Sequence, residues 1–199
     1  TTLIKLLLGY YEPQQGEILI GNTNLKNLNN KLWRSSCGSV MQDGFIFSAT
    51  IAENIAISDN SINIDKLYYA ASLANINDFI ETTPEGYNTK IGSDGNGISQ
   101  GQRQRLLIAR SIYKDPAYLF FDEATNALDA NNERTVIENL HHFFQGRTAV
   151  IVAHRLSTVK HADQIIVLKS GEVAEIGTHR ELLDKQGVYY NLVKNQIEL

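Results

Sequence analysis

The chain has 199 residues, 43% of them hydrophobic and 20% charged, which supplies enough apolar side chain for one substantial core. A formal net charge of −4 without a basic block argues against binding driven by a nucleic-acid backbone, and the single cysteine, Cys37, leaves no intrachain disulfide and no zinc cluster. The longest apolar runs, such as residues 6–8 and 149–153, fall far short of the roughly 20 residues that cross a bilayer as a helix, and there is no signal-peptide pattern. Residues 1–8 read as a helix closed by Gly9, followed by a turn around Pro13 and Gly16. Residues 17–20 and 37–41 read as strands on either side of a polar segment, 22–36. Thr50 with Glu53 has capping-box spacing and starts a helix at Ile51, and residues 65–79 read as mainly helical. After a Gly-rich turn at 92–97, Ser99 with Gln102 is a second capping box, whose helix is expected to run until Asp115 and Pro116 stop it. Residues 118–121, apolar at every position, and residues 148–152 read as buried strands. Between them, Val136, Ile137, Leu140 and Phe144 recur at helical spacing over residues 131–144. Residues 164–168 and 172–176 read as a hairpin turning at Ser170 and Gly171, and Thr178 with Glu181 opens the last helices. Helices alternating with buried strands predict an α/β fold with a mainly parallel sheet.

Chemistry concentrates at a few places. Residues 118–123 form an apolar strand ending in two adjacent acids, Asp122 and Glu123, and such an end puts carboxylates at the carboxyl edge of a sheet, where α/β proteins bind ligands. Asp122 can hold Mg²⁺ and Glu123 can polarise a water; taken alone, two such acids equally suit the start of a solvated loop. Ser99, Gln100, Gly101 and Gln102 combine a hydroxyl, a glycine and free helix N-terminal amides, an anion site in kind, although any capped helix offers as much.

The order of these elements resembles the ATP-binding cassette family, and the resemblance covers essentially the whole chain. Gln42 after a strand looks like the Q-loop glutamine; residues 98–102, followed by Arg103, Gln104 and Arg105, look like the signature motif; residues 118–123 look like Walker B; Ala127, Leu128 and Asp129 look like the D-loop; His154 after residues 149–153 looks like the switch histidine. Each has an ordinary reading by itself: a polar strand end for Gln42, a hydrogen-bonded core residue for His154, a helix N-cap for Asp129. Five in order are highly specific. Thr1, Thr2 and Leu3 look like the residues that follow the lysine of a P-loop, which would make Thr1 the hydroxyl ligand of Mg²⁺ and place Thr2 on the phosphates. The glycines and lysine of that loop are not in the sequence, and the only methionine is Met41, so the chain is expected to be a fragment that by itself binds ATP poorly.

The resemblance implies a P-loop NTPase core spanning residues 1–199, with a helical lobe inserted at approximately 50–110. It implies a head-to-tail dimer trapping two ATP molecules, each between Thr1, Thr2, Gln42 and Asp122 of one subunit and Ser99, Gly101 and Gln102 of the other, with Asp129 also among the ATP-binding residues. Glu123 would be the base toward water, His154 would hold the γ-phosphate, and Gln42 would sense Mg²⁺ and the membrane domain. The runs 50–55, 152–158 and 177–183 look like exporter cassettes, in which membrane helices usually precede the motor in one chain and place it on the cytoplasmic face of a bacterial membrane. The segments 93–102 and 118–123 with Asn126 also look like exporters that carry a peptidase domain and secrete bacteriocin-like peptides. The sequence departs from the family pattern at Ile98 and Gln100 in the signature, and at Ser93 and Asp94, where a Glu and an Arg are usual. The alternatives are a non-transport cassette ATPase, which should carry coiled-coil insertions or basic surfaces, and a nucleotide-gated regulator, which would lack the equivalent of Glu123 or His154.

Overall fold

The computed structural model describes residues 1–57, 59, 61–92 and 97–197, so the expected turn at 92–97, with Ser93 and Asp94, lies largely outside the described residues. Two compact units result, Thr1–Val152 and Ala153–Leu199.

The first unit opens with helix α1 (Thr2–Leu7), closed where Gly9 takes φ 68°. Short strands β1 (Leu19–Ile20) and β2 (Thr23–Asn24) pair antiparallel. Helix α2 (Asn30–Ser35) stands where only a polar segment was expected. Asn29 caps it, accepting from the backbone N–H groups of Lys31 and Leu32, and Trp33 anchors it in the core with its indole N–H on the carbonyl of Leu7. Strand β3 (Cys37–Val40) follows, then β4 (Ala49–Thr50) leading into α3 (Ile51–Ile55), α4 (Ile64–Leu73) and α5 (Asn77–Glu81). Thr50 and Glu53 make the expected capping box, and β4 pairs with β5 (Lys90–Ile91) across residues 51–89, which carry α3, α4 and α5, with Thr50 opposite Lys90. Helix α6 (Gln100–Tyr113) leads to β6 (Tyr118–Asp122), α7 (Ala130–Phe144) and β7 (Thr148–Val152).

Strands β3, β6 and β7 form a parallel sheet with β6 in the centre, Val40 opposite Phe121 and Asp122 opposite Val152. Period-2 alternation sends the side chains of β6 into two cores. Leu119 and Phe121 join the cluster built from α3, α4, α6 and α7, whereas Phe120 joins Ile4, Leu8, Trp33 and Cys37. The continuous apolar run of β6 is thus explained by burial on both faces. Strand β7 departs from expectation: four of its five residues are only half-buried and Thr148 is exposed, although Ala149 and Ile151 pack against one core and Val150 and Val152 against the other.

Helix α6 lies close against β3 because residue 38 has no side chain. A Cβ there would sit 2.5 Å from Ser111 Oγ and 2.7 Å from Pro116 Cγ. The substitution Gly38→Ala is therefore expected to cost about 1–3 kcal/mol through overpacking, read as a lower urea midpoint with an unchanged slope. An unchanged midpoint would mean that α6 can move off the sheet without penalty.

The second unit contains α8 (Leu156–Val159), the hairpin β8 (Ile165–Lys169) and β9 (Glu172–Gly177), α9 (His179–Asp184) and α10 (Val188–Ile197). The hairpin turns on Ser170 and Gly171, both at positive φ, as a two-residue turn of matching twist requires. Thr178 and Glu181 cap α9, and Ile165, Val167, Leu182, Tyr189 and Val193 form the core of this unit. Among the described residues, no helix is long and apolar enough to cross a membrane.

Candidate functional site

The parallel register brings the carboxyl ends of β3 and β6 to one edge of the sheet. Gln42 follows β3 there and is exposed, while Asp122 ends β6 at 1% exposure. Thr1, 121 residues away in sequence, donates its hydroxyl to Asp122 Oδ2 at 2.5 Å. The other oxygen of that carboxylate, Oδ1, is buried, accepts no hydrogen bond and lies 3.3 Å from the amino nitrogen of Thr1. A buried carboxylate oxygen without a donor is costly, and it suits a ligand atom that arrives with positive charge. Among the described residues, no three His, Cys, Asp or Glu side chains gather to hold a metal ion. A cation at Asp122 would thus draw most of its ligands from water and phosphate, which is the habit of Mg²⁺. Thr2 sits in the first turn of α1, exposed.

Glu123 follows at once but points its chemistry elsewhere, because its backbone turns left-handed at φ 52°, a conformation that a non-glycine residue adopts only when its surroundings hold it there. Three bonds do so. Its N–H donates to the carbonyl of Val152 at 2.9 Å, its own carbonyl accepts from the Asn126 N–H at 3.2 Å, and the same carbonyl accepts from Gln104 Nε2 at 2.9 Å. Its carboxylate Oε2 accepts from Asn126 Nδ2 at 2.6 Å. The loop is further tied by Thr125, whose hydroxyl donates to Glu133 within the protein interior.

Ser99 and Gln102 form the capping box at the start of α6, with Ser99 Oγ accepting from the Gln102 N–H and Gln102 Oε1 accepting from the Ser99 N–H. Gly101 lies against the loop after Glu123, and a Cβ there would stand 3.1 Å from the carbonyl oxygen of Ala127. Asp129 caps α7 through the backbone and side-chain amides of Asn132, and those hydrogen bonds, the backbone one foremost, hold its carboxyl below the ordinary range. His154 belongs to the second unit and is exposed.

The contacts of two groups of residues escaped the sequence reading, which placed Arg103 and Gln104 only as part of the signature resemblance. Gln104 grips the loop after Glu123 from both sides, since its Oε1 also accepts from the Ala127 N–H at 2.9 Å. Arg103 and Arg110, on the same helix, donate to the carbonyls of Gly44 and Phe45 just beyond Gln42. Burial pushes the Arg110 guanidinium down to about 10, and it also donates to the backbone and side chain of Asn54. Gln104 and Arg110 are polar residues at half-buried positions of an amphipathic helix, and that position was the available signal for them, whereas Arg103 is exposed.

A model of the family described as ABC transporter matches residues 1–126. The alpha-hemolysin translocation ATP-binding protein HlyB of Proteus vulgaris is 45% identical over 96% of this chain, and the leukotoxin translocation ATP-binding protein LktB of Mannheimia haemolytica is 44% identical over all of it. The chain spans 27% and 28% of the lengths of those two proteins. A solved bacterial Atm1-family ABC exporter with ATP bound superposes with a TM-score of 0.94 at 37% identity, covering 98% of this chain and 35% of the exporter chain. With the family model matching well over half of its residues, and with the carboxyl-edge acids, the capped α6 and the order of motifs all in place, this chain belongs to the ABC transporter family.

Proposed function

We propose that this chain forms the greater part of the ATP-hydrolysing motor of an exporter, on the cytoplasmic face of a membrane, within a longer protein that supplies the remaining phosphate-binding loop and the membrane helices. The observation that carries the reading is the Thr1 hydroxyl on the buried Asp122 carboxylate at the carboxyl edge of a parallel sheet. Those are the two protein groups a nucleotide-bound Mg²⁺ needs in this class of site.

In this reading Asp122, Thr1 and Gln42 hold Mg²⁺, which when bound neutralises charge on the β- and γ-phosphates. Thr1 and Thr2 face the phosphates of the same nucleotide. Glu123, oriented by Asn126, accepts a proton from the attacking water, and His154 fixes the γ-phosphate. Ser99, Gly101 and Gln102 offer the N-terminus of α6 to the nucleotide of a second, head-to-tail domain, because backbone amides at a helix start satisfy phosphate oxygens without a bulky side chain. Asp129, at the N-cap of α7, is a further ATP-binding residue. The helical lobe at approximately 50–110 carries that N-terminus. The names of the curated relatives, which describe translocation of alpha-hemolysin and leukotoxin, support a polypeptide cargo.

Steady-state phosphate release by the protein extended upstream of Thr1, with and without Mg²⁺, tests this. Turnover that requires Mg²⁺ is expected; a protein that binds ATP and never hydrolyses it would overturn the motor reading.

A further inference from the structure

Helix α6 does more than present its N-terminus. Gly101 and Gln104, three residues apart, share one face of the helix, and both meet the loop that leaves β6. Gln104 donates through Nε2 to the carbonyl of Glu123 at 2.9 Å and accepts through Oε1 from the N–H of Ala127 at 2.9 Å. The two partners fix which end of the amide is which, since a carbonyl can only accept and an N–H can only donate. Only a side chain with a donor and an acceptor at that spacing serves both; a carboxylate cannot donate to the carbonyl, an ammonium cannot accept from the N–H, and an apolar group does neither.

The loop so clamped is the one whose first residue has a strained backbone, Glu123 at φ 52°. One of the two bonds to the Glu123 carbonyl therefore comes from α6 rather than from the loop itself. Gly101 lets the loop lie close against the helix, because any side chain there would put its Cβ 3.1 Å from the carbonyl oxygen of Ala127.

We infer that Gln104 is a positioning residue for hydrolysis: its amide bolts residues 123–127 to α6, so that the carboxylate of Glu123 keeps its orientation and the loop shifts only when the helix shifts. The inference rests on the reading of Glu123 as the base. It gives a physical route between two nucleotides, since the helix whose first turn meets the ATP of a partner is hydrogen-bonded to the main chain that carries the base of its own site. Arg103 and Arg110 extend the same logic to the segment after Gln42, through the carbonyls of Gly44 and Phe45.

The test is Gln104→Leu, which keeps the approximate volume and removes both bonds, with Gln104→Glu, which retains only the acceptor for Ala127, in the protein extended upstream of Thr1. Loss of positioning is expected to lower kcat about tenfold to a hundredfold while KM for ATP stays within about twofold, with Gln104→Glu no better than intermediate. Because Gln104 acts through Glu123, single-turnover hydrolysis in the double variant Gln104→Leu/Glu123→Gln is expected to match Glu123→Gln alone. Wild-type kcat in Gln104→Leu would overturn the inference, and so would losses that multiply in the double variant, the mark of a general structural defect. A wild type without hydrolysis, or Glu123→Gln with full turnover, would overturn the motor reading and this inference together. An active wild type, an inactive Glu123→Gln and a fully active Gln104→Leu would remove the inference alone.

Discussion

Replacing Glu123 by glutamine is expected to lower kcat for ATP hydrolysis by about 10²- to 10⁴-fold while ATP binding persists, the range over which a positioned general base contributes. The backbone at residue 123 accommodates this substitution. The backbone bonds that hold the left-handed turn, from Glu123 N–H to Val152 and to the Glu123 carbonyl from Asn126 and Gln104, involve no atom that the substitution alters. The amide oxygen of a glutamine can still accept from Asn126 Nδ2, as the carboxylate does at 2.6 Å. What disappears is the capacity to take a proton from water. If nucleotide binds between two copies of the domain, the variant should accumulate as an ATP-bound dimer, visible as a nucleotide-dependent shift in gel filtration that the wild type shows only transiently. Glu123→Ala should behave differently, because it also strips Asn126 of that acceptor and loosens the loop. Undiminished turnover in Glu123→Gln would remove Glu123 from the role of base.

What could be read from the sequence was whatever local chemistry specifies. Three capping boxes, at Thr50, Ser99 and Thr178, stand where a hydroxyl and a Glu or Gln three residues on predicted them, since both hydrogen bonds lie within one turn of chain. The hairpin at Ser170 and Gly171 was legible for the same reason. Strand β6 announced itself by consecutive apolar residues, and its end placed Asp122 and Glu123 at the sheet edge. The misses are of two kinds. Strands β4 and β5 are two residues each and exist only because distant segments meet, Ala49 opposite Ile91, which no local pattern encodes. Helix α2 was hidden inside a polar stretch whose Asn29 cap and buried Trp33 were visible but unread, and α8 has no side-chain cap to announce it. Gln104 belongs to the first kind, because its two partners on the loop after Glu123 are set by how α6 packs, and that is decided by tertiary structure. Strand β7 shows the converse, since its apolar run predicted burial and its residues are only half-buried against the two cores.

Asp122→Asn is expected to abolish function and to leave the fold as stable as before or more so. Asp122 is 1% exposed, yet only its Oδ2 has a hydrogen bond, from the Thr1 hydroxyl at 2.5 Å, and Oδ1 accepts none. A core carboxylate held this sparsely is a poor structural element, because burying it gives up hydration that the protein returns only through the hydroxyl of Thr1 and its amino nitrogen, 3.3 Å from Oδ1. Asparagine keeps an oxygen for Thr1 and removes a buried negative charge. Stability without nucleotide is therefore expected to be unchanged or higher by about 1 kcal/mol, a rise in thermal midpoint of about 2–4 °C for a chain of this size. The same substitution should reduce Mg²⁺-dependent hydrolysis at least about 10²-fold, since the group that would hold the cation is gone. Melting curves separate the two effects. In the wild type, ATP with Mg²⁺ should raise the midpoint beyond ATP with a chelator, as binding to the folded state alone requires, and in the variant that increment should vanish. A variant that melts well below the wild type in the absence of ligand would show that the carboxylate is part of the framework of the sheet edge, and the case for a site held ready for a cation would fall with it.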